Sequence, residues 1–400
     1  MKPYTKAFIP YKGYYTTPFS RWQMSMQYDN AILLGAETAR RWFLEKNIDP
    51  TILDYMYFGA TVAQKHWFLS HTYAAAILTD DKKFLPALFV NQACSTSTTI
   101  LNLLAMDMEL ETYDIGYLLT ADRCSNGPHT IWANPLGPGA MPEREDWMMD
   151  NFEGTPRHHA FMAQTAENVA KEEGFTKEEC DAVVLRRFEQ YQMALANDRA
   201  FQKRYMFAPE VTVTRKQKKL LEQDEGWTPT TAEGLAKLKP QFPGGVLSFG
   251  AQTFPADANS GIIVTTREKA RELSADTKIE IQIISYGFAR VKPMFMPTAP
   301  VPATEMALSN AGIKVTDVKS IKTHNPFAVN DLFFAKKFGI DVMSMNNYGS
   351  SLIYGHPQGP TVARAVIEMI EELVLLGGGY GLFTGCAAGD SSAALVLKIG

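Results

Sequence analysis

The chain has 400 residues, 46% hydrophobic and 20% charged, a globular balance that excludes a disordered or fibrous chain and leaves room for two or three domains. Its 39 Lys and Arg against 43 Asp and Glu give a formal charge of -4, without the basic bias that nucleic acid binding requires. No stretch reaches the roughly 18 to 20 apolar residues of a membrane span, and MKPYTKAFIPYKGYY has no apolar signal core, so a soluble, cytoplasmic protein is expected.

From about 30 to 120, helical patterns alternate with short apolar runs: AILLGAETARRWFL, FLPALFV, ILNLLAMDMEL and IGYLLTA. This alternation predicts an α/β core with a largely parallel sheet. A second copy of the pattern lies near the C-terminus, where Val362, Val366, Ile367, Met369, Ile370 and Leu373 mark a helix before the run YGLFTG. Tyr117 lies 23 positions after Cys94, and Tyr380 lies 24 after His356, the spacing of an internal duplication. Between the halves, at about 124 to 243, come an irregular Pro/Gly-rich stretch, a helical stretch (AFMAQTAENVAKEEGFTKEECDAVVLRRFEQYQMALAN) and a charged tail (TRKQKKLLEQDEGW). Such an insertion commonly covers or builds a substrate site.

Four cysteines, Cys94, Cys124, Cys180 and Cys386, form no CxxC pair, so neither a structural zinc nor a disulfide framework is implied. VNQACSTSTT sets Cys94 in a loop ahead of a helix, where the helix dipole and backbone N–H groups favour a nucleophilic thiolate; a buried structural cysteine fits the same loop. His356, between Gly355 and Pro357, could serve as the base for a thiol or equally as a structural residue. His324, ahead of Asn325 and Pro326, could donate to an oxyanion or bond to backbone. Cys386 leads a turn of small residues and reads as a proton-shuttling thiol or as a packed one.

Together these segments resemble, in order and across nearly the whole chain, the thiolases. VNQAC resembles the family's nucleophile loop and FMAQTAENVA its helical signature. TAEGLAKLKPQF with GGVLSFGAQT, MPTAPVPATEMALSNAGI, HNPFA, GHPQG and the Cys386 turn then follow in the family's order. The resemblance implies an α/β thiolase fold, five-layered αβαβα, from two similar halves (1–123 with 244–270, and 271–400) and a helical loop domain (124–243), assembled as a dimer or dimer of dimers. It implies that Cys94 is the acylated nucleophile, His356 its base and Cys386 the acid and base at carbon. His324, in place of the more common asparagine, resembles the histidine type of the sterol-carrier-protein and related prokaryotic thiolases. By this likeness His324 and His356 form one oxyanion hole, and the N–H groups of Cys94 and Ala388 form the other.

The resemblance also puts Phe161, Met162, Thr253 and Phe327 around the acyl pocket. No permanently bound cofactor or metal is expected, with coenzyme A as substrate and Arg215, Lys216, Lys218 and Lys219 as candidates for its phosphates. Departures from the family are Ser95, Thr96 and Ser97 where glycines are favoured, Ala388 in place of glycine, and Phe161 where a histidine is common. With the aromatic segments PYKGYYTTPFSRWQ and HTIWANP, they suggest a bulky acyl group and resemble thiolases that cleave benzoylsuccinyl-CoA to benzoyl-CoA and succinyl-CoA. Histidine-type relatives also pair with a small zinc-ribbon and OB-fold partner. A ketoacyl synthase-like enzyme, or a non-catalytic subunit of a complex, stands as the alternative.

Overall fold

The computed structural model describes residues 3–153 and 160–400. One half of the main sheet runs in the order Ala87–Val90, Tyr55–Gly59, Ile115–Arg123, Ala256–Thr265; the other runs Val318–His324, Gly379–Ala387, Ser391–Ile399, Ile281–Arg290. The short strand Phe8–Ile9 pairs with both Ala256–Thr265 and Ile281–Arg290 and so joins the halves. The helices Thr96–Glu109 and Gly359–Leu375 pack on each other and on strands of both halves, which makes them the central layer. Ala31–Glu45 covers the outer side of the first half and Pro300–Ala311 that of the second, completing five layers.

The strands of the stretch 30–120 that predicted a parallel sheet are paired in parallel, but the whole sheet is mixed. Tyr55–Gly59 is parallel to both of its neighbours and Val318–His324 to Gly379–Ala387. Ala256–Thr265 and Ile281–Arg290 are antiparallel to their partners, as is Ser391–Ile399, because strands joined by the three-residue turn 388–390 can pair in no other way. The stretch read as irregular forms a hairpin, His129–Trp132 with Glu143–Asp146, and the charged tail forms another, Glu210–Thr214 with Gln217–Leu220. The helices Met162–Glu173 and Lys177–Arg199 account for the helical stretch between them, the second opened by a Thr176 and Glu179 capping box.

Gly359–Leu375 is buried from Gly359 to Leu373, its charged residues included. Buried ions are tolerated only when paired and hydrogen-bonded. Arg364 is held by Asp224 at 2.7 Å and Glu368 at 3.0 Å, Lys322 reaches Glu368 at 3.1 Å, and Arg204 reaches Glu371 at 2.7 Å. These bonds fix the helix whose first turn carries the His356 loop. No helix among the described residues is long and apolar enough to cross a membrane.

Candidate active site

Cys94 sits between the edge strand Ala87–Val90 and the helix Thr96–Glu109 in a turn that is costly to make. Ala93 takes φ 47, a left-handed conformation that costs a residue with a Cβ roughly 1 to 2 kcal/mol. Thr96 stabilises the turn: its hydroxyl donates to the Ala93 carbonyl at 2.7 Å and accepts from the Gln92 N–H at 2.9 Å. Strain maintained in this way is typical of functional loops.

The His356 loop is fixed from two sides. Its backbone N–H donates to the Phe254 carbonyl at 2.8 Å, while the Gly359 N–H donates to Asp122 at 2.9 Å. Asp122 also accepts from the N–H groups of Thr61 and Val62; burial nevertheless pushes its carboxyl up to about 7. His356 Nε2 then lies 3.1 Å from Cys94 Sγ, and its Nδ1 lies 2.6 Å from the Thr361 hydroxyl. The two sequence-predicted residues, 262 positions apart, are brought into direct contact.

The dipole expectation for Cys94 is corrected. Burial pushes its thiol up to about 12, against the opposing pull of the Ala388 and Cys94 backbone N–H groups. Burial, then the neighbouring His324, holds His356 well below the ordinary imidazole value. The resting pair is therefore a neutral thiol beside a neutral imidazole. Desolvation wins because the charged forms lose bulk water, whereas two N–H dipoles return only part of that hydration.

His324 ends the strand Val318–His324, its ring 4.1 Å from that of His356. Its Nδ1 lies 2.9 Å from the Ser351 hydroxyl, and its Nε2 is buried without a partner among the described residues. Burial pushes its pKa down to about 3. A histidine that protonates near pH 3 when folded and near 6.5 when unfolded favours the unfolded chain at each step below about pH 6.5. Stability should fall there by on the order of 1.4 kcal/mol per pH unit from this residue. His324→Asn should flatten that limb in thermal melts recorded from pH 7 to 4; an unchanged slope would mean that other groups set acid sensitivity.

Cys386 is buried at the end of the strand Gly379–Ala387, where Asn330 donates an amide N–H to its sulfur at 3.2 Å. Burial, then Cys94, pushes its thiol well above the ordinary value. At the following turn Gly389 (φ 85) and Asp390 (φ 55), not Ala388, carry the left-handed backbone. Ala388 therefore fits where the family has glycine without requiring a left-handed conformation.

A cavity of about 820 Å³ opens onto Cys94, His356, Cys386 and Ala388, and Phe161, Met162, Thr253 and Phe327 all line it. Trp147, Phe152, Phe242 and Phe254 add aromatic wall that the sequence reading did not single out. Also missed were Gln358, Thr361, Ser351 and Asn330. Thr361 lies five positions after His356, so it was findable by asking what could orient the imidazole. Arg215, Lys216, Lys218 and Lys219 are not brought to the cavity: they sit on the exposed hairpin 210–220, with Lys218 3.9 Å from Glu37 and Lys219 4.0 Å from Glu225.

The family model for the thiolase N-terminal domain matches residues 13–268, and that for the C-terminal domain matches residues 277–399. A beta-ketothiolase of Cupriavidus necator is 29% identical over 320 residues, 78% of this chain and 79% of its own length. The peroxisomal 3-ketoacyl-CoA thiolase A of Rattus norvegicus is 30% identical over 334 residues, 81% of this chain and 73% of its own. Among solved structures, the acetyl-CoA acetyltransferase of Bacillus anthracis superposes with a TM-score of 0.89 at 22% identity, covering 100% of both chains. The human mitochondrial 3-ketoacyl-CoA thiolase in complex with CoA superposes at 0.88 and 22%, covering 99% of both. With both family domains matched over most of its length and the same fold in these structures, the chain belongs to the thiolase family of acyltransferases.

Proposed function

We propose that the protein cleaves a 3-oxoacyl-CoA with coenzyme A through an acyl-enzyme on Cys94, and runs the reverse Claisen condensation with the same groups. The observation that carries this reading is the 3.1 Å contact between Cys94 Sγ and His356 Nε2 in a cavity that also exposes Cys386. His356, with its Nδ1 proton on the Thr361 hydroxyl, takes the Cys94 proton. The thiolate attacks C3, the C2–C3 bond breaks, and the Cys386 S–H protonates C2. The imidazolium returns its proton to the Cys386 thiolate, which leaves His356 free to activate coenzyme A for attack on the acyl-enzyme.

The Cys94 and Ala388 N–H groups, which both favour negative charge on Cys94, would hold the tetrahedral oxyanion. His324 Nε2, with His356, would hold the thioester enolate oxygen. That role requires the Ser351 hydroxyl to donate to His324 Nδ1, leaving the proton on Nε2.

For the acyl group we favour an aromatic 3-oxoacyl-CoA such as benzoylsuccinyl-CoA, supported by the walls of Trp147, Phe161, Phe242 and Phe327. The test is the intact mass after brief incubation with acetyl-, succinyl- or benzoyl-CoA. A benzoyl adduct mapped to Cys94 is expected. An acetyl adduct alone would discard the aromatic substrate, and no adduct with any of them would point to a missing partner. For assembly, the edge strand Ala87–Val90 exposes Leu88 beside Phe84, which suits pairing with a second copy; the hairpin 129–146 exposes Trp132 and Leu136, which suits the small zinc-ribbon and OB-fold partner. Sedimentation of the purified chain and co-purification from the native host decide between these assemblies.

A further inference from the structure

Among the described residues no carboxylate bonds to the His356 ring, where one commonly steadies a charged catalytic histidine. Around the Cys94 and His356 pair lie the His324 ring at 4.1 Å, the thiols of Cys386 and Cys124, the Thr361 hydroxyl on Nδ1, and Asp122 held by the Gly359 N–H. Burial opposes a positive charge on His356, and Asp122, when ionised, opposes a negative one on Cys94. Proton transfer from sulfur to nitrogen thus creates an ion pair in a buried site with little to support it.

The Cys94 and Ala388 backbone N–H groups favour the thiolate, and Gln358 is the side chain that favours the imidazolium. Cys94 S–H donates to its Oε1 at 3.4 Å, so the one thiol proton lies between two acceptors, Gln358 Oε1 and His356 Nε2. The side chain is held there at a cost. Its backbone takes φ 55 and ψ -107, a combination that glycine adopts readily and other residues rarely do, and its Nε2 is buried without a partner among the described residues. An unstrained glycine would suit the turn better, so what retains the glutamine is its amide.

We infer that Gln358 is a further catalytic residue at the nucleophile: its side-chain oxygen keeps hold of the proton that passes between Cys94 and His356. Before transfer Oε1 accepts from S–H. When the S–H bond breaks and the Nε2–H bond forms, the same oxygen accepts from the imidazolium, whose charged form hydrogen bonding to Gln358 favours. A rotation of the amide would also turn Nε2–H toward the new thiolate, giving the unpaired donor its partner. The inference rests on the reading of Cys94 as the nucleophile.

The experiment is alkylation of the full-length protein by iodoacetamide across pH 6 to 10, with the label located by peptide mass, for wild type, Gln358→Met and Gln358→Gly. Methionine keeps the length but offers no comparable acceptor, and glycine relieves the backbone. Alkylation of Cys94 at pH 7 should slow on the order of 10-fold or more in both variants, the size of a hydrogen bond to a charged group. Over this range, which lies below the thiol's own titration, the rising limb of rate against pH should be displaced to higher pH by about one unit in both variants. A purely structural role predicts the opposite split: Gln358→Gly would melt at the same or a higher temperature and react like wild type. Wild-type rates across the whole pH range in the glycine variant would overturn the inference, even if Gln358→Met failed to fold. Wild-type label on a residue other than Cys94 would instead bring down the nucleophile reading, and the inference with it.

Discussion

Cys94→Ala is expected to lower both thiolysis and condensation by about 10⁴-fold or more, the scale on which covalent catalysts lose activity without their nucleophile. No other side chain can take over. Cys386 opens onto the same cavity, but its sulfur is occupied by the Asn330 amide and its thiol is held well above the ordinary value. His356 would remain in place in the variant with its Nε2 facing an empty position. The acyl adduct on incubation with acyl-CoA should vanish while the melting temperature changes little, because Cys94 is partly exposed to the cavity and removing its sulfur leaves no sealed void. Carbon–carbon cleavage at the normal rate, or an adduct that moves to another residue, would refute the assignment.

The sequence made the two repeated units legible because their signal is local. The helical period after Cys94 and after His356, followed by an apolar run at almost equal distance, corresponds to Thr96–Glu109 with Ile115–Arg123 and to Gly359–Leu375 with Gly379–Ala387. The direction of pairing was not legible. Ala256–Thr265 aligns with Ile115–Arg123 across more than 130 residues, and a strand's own sequence does not record which way its neighbour runs. At the site, residue types pointed to Cys94, His324, His356 and Cys386, but their electrostatics depended on depth. A helix N-terminus favours a thiolate, but the desolvation of Cys94 within the cavity wall outweighs it and reverses the sign of the net effect. Gln358 escaped notice because a glutamine carries no charge or nucleophile to mark it; only its strained backbone and its contact with the sulfur do so.

Cys386→Ala is expected to separate the two halves of the reaction. Burial keeps the Cys386 thiol protonated at neutral pH, the state in which it can give a proton to C2. Once it has done so, the Asn330 N–H at 3.2 Å offers the thiolate a hydrogen bond and limits the cost of the charge until the proton returns. With alanine at 386, the carbanion released by C2–C3 cleavage finds no acid, and in the condensing direction no base removes the C2 proton. Carbon–carbon chemistry should fall by on the order of 10²- to 10⁴-fold, the span of general acid and base catalysis. Acylation of Cys94 by an acyl-CoA uses a different set: His356 at 3.1 Å and the N–H groups of Cys94 and Ala388. One acyl group per chain should still appear in the intact mass, at close to the wild-type rate. That asymmetry distinguishes a proton-transfer role from a packing role, since a cavity left by a buried sulfur would disturb both halves alike. Loss of the adduct together with cleavage would sink the assignment, as would cleavage at the wild-type rate.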